Sequence, residues 1–118
     1  MLKNKKVILG VTASIAAYKS AFIVRELKKA GAFVKVIQTD ASLDFVTPLT
    51  LSTLSENTVQ TKMVEEDTKD WISHVDLAQW ADLMLIAPVT AKTMAKMVVG
   101  ECDNLLLATY LSAKCPVY

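Results

Sequence analysis

Val7-Ile8-Leu9-Gly10-Val11 is apolar at consecutive rather than alternate positions, and it follows a basic leader from Lys3 to Lys6. Such a run reads as a strand covered on both faces, which needs helices above and below it. From Ser14 to Ala30 the pattern changes to a helical period. Ala16, Ile23, Val24 and Leu27 gather on one side, Lys19, Arg25, Lys28 and Lys29 lie largely on another, and Gly31 supplies a stop. Ala32 to Gln38 then reads as a second strand. A strand, a helix and a strand within about forty residues make a right-handed parallel crossover unit.

A second unit follows. Trp80-Ala81-Asp82 leads into the apolar run Leu83 to Ala87, which ends at Pro88, and Thr90 to Val98 reads as a helix closed by Gly100. Asp103 is placed to cap a further helix through Leu111, and Pro116-Val117-Tyr118 starts another strand. Between the units, Thr47-Pro48 opens a short helix to Leu54, and Glu65 to Asp70 is a charged loop. The expected fold is α/β, a Rossmann-like (flavodoxin-like) open parallel sheet with helices on both faces. Because Tyr118 falls just as a strand begins, residues 1–118 read as one domain cut short on its C-terminal side.

Composition narrows the ligand. With 53% hydrophobic residues a buried core is within reach, and a net charge of +1 gives no broad electrostatic footprint for nucleic acid or an anionic membrane. No stretch approaches the roughly 20 apolar residues of a membrane span, and none has the form of a secretory signal. Cys102 and Cys115 lack metal-ligand spacing and read as reduced, small apolar residues of helix or strand in a cytoplasmic chain. A small molecule is the expected partner, with no metal.

Open α/β sheets bind ligands beyond the carboxyl ends of their strands. The first such end carries Gly10-Val11-Thr12-Ala13-Ser14-Ile15, a small-residue turn entering a helix. It lacks the glycines of a dinucleotide fingerprint and the ending of a P-loop. Its amides can cradle a phosphate, or Ser14 can simply cap the helix. Thr39 with Ser42 closes the second strand, and Pro88 to Thr93 closes the third, so hydroxyls converge from three strand ends. His74, the only histidine, stands in Ser73-His74-Val75-Asp76-Leu77-Ala78 ahead of the third strand. It is either a surface or structural residue or, having a side-chain pKa near neutrality, a proton-transfer group facing the same crevice.

Four segments recur together in one order: Gly10 to Lys19, Phe45 to Thr50, His74 to Asp82 and Ala87 to Lys96. Together they resemble the homo-oligomeric flavin-containing cysteine decarboxylases, over essentially the whole chain. Within that family the likeness is greatest to the branch that decarboxylates 4′-phosphopantothenoylcysteine in coenzyme A biosynthesis. The resemblance implies FMN as cofactor, a homotrimer or dodecamer, and a ligase domain fused in the parent protein. It further implies that Ala13, Ser14 and Ile15 hold the FMN phosphate end, that Thr39 and Ser42 flank the cofactor, and that Thr90, Ala91, Lys92 and Thr93 form a third cofactor loop. His74 matches the family's catalytic histidine. Where Lys92 stands the family usually has Asn, which both donates and accepts, whereas an ammonium only donates.

Two family elements, the P-x-M-N-x-x-M-W motif and a clamp bearing a proton-donating Cys, fall outside these residues, so the resemblance implies flavin binding and little decarboxylation for this stretch alone. Flavin prenyltransferases share the fold but do not usually show the His74-Val75-Asp76-Leu77 arrangement. Peptide-cysteine decarboxylases and non-catalytic regulatory subunits with the same fold are the other readings.

Overall fold

The computed structural model describes residues 2–62 and 74–118. Three parallel strands form the sheet in the order β2-β1-β3, with β1 at Lys6–Val11, β2 at Phe33–Gln38 and β3 at Leu83–Ile86. Val7 is in register with Val34 on one side and Leu83 on the other. The chain thus passes from β1 to β2 on one side, and β3, which follows β2 in sequence, takes its place on the other side of β1.

Alternation along β1 divides the core. Val7, Leu9 and Val11 join Val34 and Val36 in one buried cluster, against Val24 of α1 (Ser20–Lys29) and Leu51 of α2 (Pro48–Ser55). Ile8 points the other way, with Ile37, Met84 and Ile86, against Leu77 of α3 (His74–Trp80) and Leu105 and Leu106 of α5 (Leu105–Ser112). Each fully buried Val, Leu or Ile contributes about 1.5–3 kcal/mol of transfer free energy, so the consecutive apolar run holds two helical layers at once. Gly10 serves the second layer by having no side chain, since a Cβ there would come 2.5 Å from Leu106 Cδ1.

Several boundaries differ from the sequence expectation. The Ser14–Ala30 helix is divided into a 3₁₀ turn, Ile15–Lys19, and α1. Ser14 caps the turn, and the Ser20 hydroxyl donates to Ala17 O at 2.6 Å, a local bond that closes the turn where α1 begins. Gly31 and Gly100 end α1 and α4 (Ala91–Val99) with φ of +89° and +76°, the left-handed region that favours glycine. At α5 the cap is Asn104, not Asp103: Asn104 is extended, and its Oδ1 accepts from Leu107 N at 2.8 Å. Asp103 is engaged by Lys96 instead.

Pro116–Tyr118 continues the sheet beside β3 as expected. Val117 bridges Met84 in parallel, and Tyr118 N donates to Met84 O at 2.8 Å. Cys115 packs at the edge of the second core, but Cys102 is exposed in the α4–α5 connection, because Gly100 has turned the chain out of its helix before Cys102 is reached. The charged stretch Glu65 to Asp70 lies outside the described residues. Among the described residues, no helix is long and apolar enough to cross a membrane.

Candidate functional site

The carboxyl ends of the three strands face one way, and the strand order reverses at β1, the switch point where a crevice opens in sheets of this kind. A cleft of about 260 Å³ lies along this edge. Ala13 comes from the loop after β1, and Thr39, Asp40 and Ala41 from the loop after β2. Thr90, Lys92, Thr93 and Lys96 come from the start and middle of α4, and Asp103 and Asn104 from the entry to α5.

Thr12 joins the first and third loops. It is buried, its hydroxyl donates to Pro88 O at 2.7 Å, and the same oxygen accepts from Thr90 N at 3.0 Å. A second bond, from Thr12 N to Pro88 O at 3.2 Å, runs beside it. The loop after β2 is fixed from within. Gln38 Nε2 donates to Ser42 Oγ at 3.2 Å and to Val46 O at 3.0 Å, while Ser42 Oγ donates to Thr39 O at 2.7 Å. At the third loop, Thr90 caps α4 by accepting from Thr93 N at 3.2 Å.

The far wall carries a charge pair. Lys96 Nζ hydrogen-bonds Asp103 Oδ2 and lies 4.0 Å from Glu101 Oε2. The hydrogen bond from Lys96 holds the Asp103 carboxyl below its ordinary value, with a smaller contribution from the nearby Lys92 charge. The same bond holds the Lys96 ammonium above its ordinary value.

Of the residues singled out from sequence, the structure brings Ala13, Thr39, Thr90, Lys92 and Thr93 together on the cleft. Ala91 is exposed at the first position of α4 and is not among the lining residues. Ser14 spends its oxygen on Ala16 N at 3.1 Å, and Ile15 projects into solvent with 82% of its surface exposed. Ser42 is fully buried beneath the loop, where its hydroxyl supports Thr39. His74 opens α3, is half-buried, and is not among the cleft-lining residues. Since α3 runs down to the start of β3, its first residue lies toward the carboxyl edge of the sheet. The sequence marks Thr12 only as part of the cradle turn, gives no site role of their own to Asp40, Ala41, Lys96 or Asn104, and gives Asp103 only that of a helix cap. Lys96 and Asp103 flank Gly100 across the α4–α5 turn, an opposite-charge spacing that could have revealed the pair.

Hydroxyls and an ammonium on one side, with Ala13 and Ala41 contributing methyl surface, suit a ligand that has an anionic end and an apolar body. A sequence profile of the Flavoprotein family matches residues 1–117, and the chain belongs to that family, which makes a flavin its class of cofactor. More particularly, the chain is similar to the coenzyme A biosynthesis bifunctional protein CoaBC. It is 43% identical to that of Bacillus subtilis (strain 168) over 118 residues, covering all of this chain and 29% of the relative. It is also 43% identical to that of Mycolicibacterium smegmatis over 117 residues, covering 99% of this chain and 28% of the relative. The chain therefore spans under a third of the length of these relatives.

Among solved structures, the FMN-dependent cysteine decarboxylase SpaF superposes with a TM-score of 0.88 at 28% identity, covering 99% of this chain and 67% of that one. A PPC decarboxylase mutant complexed with pantothenoylaminoethenethiol superposes with a TM-score of 0.77 at 28% identity, covering 98% and 65%.

Proposed function

We propose that this domain binds FMN at the carboxyl-edge cleft and takes part in the decarboxylation of 4′-phosphopantothenoylcysteine to 4′-phosphopantetheine in coenzyme A biosynthesis. The observation that carries the reading is the convergence of Ala13, Thr39, Thr90, Lys92 and Thr93 on one switch-point cleft in a chain of the Flavoprotein family. The choice of substrate rests on the identity to the CoaBC relatives, at 43% well above the 28% to the SpaF structure.

The donor set fits a flavin with a phosphorylated tail. Thr39, Thr90, Thr93 and Lys92 would hold it, and Ala13 offers a small surface beside it. When bound, the flavin supplies the two-electron oxidation of the substrate thiol and later returns the electrons, so that no net redox change results. The thiocarbonyl so formed can accept the electron pair released as the bond to the carboxylate breaks and carbon dioxide leaves.

The chain's own residues bind and orient. Thr12 fixes the third loop against the first, and the Gln38–Ser42 bonds fix Thr39 from beneath. His74, at the carboxyl-edge end of α3, would take or orient the thiol proton, a role that suits an imidazole because its two ring nitrogens can accept and donate. Ser14 and Ile15 would bound the cofactor through backbone atoms of their turn, Ala91 through its amide, and Ser42 only by supporting Thr39. A homotrimer or dodecamer, and a ligase domain in the parent protein, belong to the same reading.

The test is to purify the protein and record its visible flavin absorption. Carbon dioxide release from 4′-phosphopantothenoylcysteine is then followed for the FMN-loaded wild type and for His74→Asn, with a peptide ending in cysteine as the competing substrate. Yellow protein is expected, and such turnover as it shows should fall about 10²–10⁴-fold in the variant. Colourless protein that takes up no FMN overturns the reading, and faster turnover of the peptide moves the assignment to the peptide-cysteine branch.

A further inference from the structure

The cleft has four charged side chains, and they are not equivalent. Asp40 and Asp103 are acidic, Lys92 and Lys96 basic, so their formal charges cancel. The sign felt by a ligand is then decided by which charges are already engaged. Lys96 is bonded to Asp103 and has Glu101 4.0 Å away, so its ammonium is committed to the wall. Lys92 sits a turn earlier on α4 and has no ion-pair partner among the described residues, although its charge reaches Asp103. Asp40 is exposed across the cleft on the loop after β2.

An anion entering this cleft is therefore repelled from the Asp40 side and drawn to the first turn of α4. There the Thr90 and Thr93 hydroxyls line the cleft beside Lys92. Among the described residues, the Ala91 and Lys92 amides have no acceptor, whereas Thr93 N and Met94 N are both turned onto Thr90. The helix end adds its partial positive charge in the same direction.

We propose that Lys92 is a specificity-determining residue that selects the phosphorylated form of a bound ligand, its ammonium pairing with a phosphate monoester dianion seated at Thr90, Thr93 and the free amides of α4. The inference rests on the flavin reading above. Its phosphate has two possible sources, the FMN tail or the 4′-phosphate of the acyl substrate. Lys96 is the less available of the two lysines, because its charge is already offset by Asp103, which accepts from it, and by the nearby Glu101.

The test measures dissociation constants for FMN and riboflavin by flavin fluorescence, in wild type, Lys92→Gln and Lys92→Arg, at low and high salt. Lys92→Gln should weaken FMN about five- to tenfold while changing riboflavin less than about twofold, and salt should erode FMN binding less in the variant than in wild type. Lys92→Arg keeps the charge and should restore the preference. On FMN-loaded protein, the binding of 4′-phosphopantothenoylcysteine is compared with that of its dephosphorylated form. If the variant loses that preference while FMN is unaffected, Lys92 reads the substrate phosphate, which supports the proposal with the second source.

Equal losses for the phosphorylated and unphosphorylated members of both pairs overturn it, and so does no change in either. Wild-type protein that binds neither flavin refutes the flavin reading itself, a result distinct from both.

Discussion

Thr12 holds the first and third loops together with a single oxygen, which donates to Pro88 O and accepts from Thr90 N across a sequence separation of up to 78 residues. Thr12→Val keeps the shape, removes both bonds and leaves Thr90 N facing a methyl group. Losing a buried partner of this kind costs about 1–3 kcal/mol, and for a domain near this size each kcal/mol lowers the melting temperature by about 4–8 °C. Thermal denaturation of Thr12→Val beside Thr12→Ser checks it. The serine variant should melt near wild type, and a valine variant that also does so would show that the oxygen carries no strain-free tie worth counting. Sequence alone marked the turn as a cradle but could not rank its hydroxyls. Ser14, the more conspicuous one, bonds two residues along the chain, whereas Thr12 bonds residues that are neighbours only after β1 and β3 have paired. A local pattern contains the first kind of bond and not the second.

The elements themselves were legible where one force sets them. Period and length located β1, β2, β3 and α4, because burial on both faces or on one face leaves its mark at successive positions. The errors lie where two local forces compete. Asp103 and Asn104 can both cap a helix, and Asn104 takes the cap while Lys96 draws Asp103 away. That choice gives the α4–α5 connection a pH dependence. The Asp103 carboxyl is held below its ordinary 3.8 by the hydrogen bond from Lys96, so the stabilisation is complete above that value and is lost as pH falls through the lowered one. Lys96 is held above its ordinary 10.5, so its share is complete below that value and is lost as pH rises through the raised one. The pair lies at the surface, with Asp103 exposed and Lys96 partly so, and its contribution is correspondingly small. Asp103→Asn should flatten the acid limb of a plot of melting temperature against pH by slightly lowering its neutral plateau, the two proteins converging at low pH where the carboxylate is protonated. An acid limb unchanged by the substitution would place the titration elsewhere.

At the scale of the molecule, the sheet is the link between stability and binding. The cleft is lined by residues from the ends of all three strands and from the entry to α5, and those strands are held in place by two helical layers meeting on β1. Unfolding any part of that arrangement scatters the lining residues, so a ligand of the cleft binds only the folded chain. Under that linkage FMN at about 100 times its dissociation constant adds about 2.7 kcal/mol to stability. For a domain of this size the melting temperature should rise by about 10–20 °C, and by a further increment with each tenfold increase in free FMN. Riboflavin, lacking the phosphate, should reach the same shift only at higher concentration. Differential scanning fluorimetry is unsuitable with a fluorescent ligand, so the melting is followed by far-ultraviolet circular dichroism. A midpoint that stays fixed across saturating FMN would mean that the cofactor does not bind through the folded sheet edge, whatever the colour of the preparation. A midpoint that rises in wild type and less steeply in Lys92→Gln would connect the cleft, the charge beside it and the stability of the whole chain in one measurement.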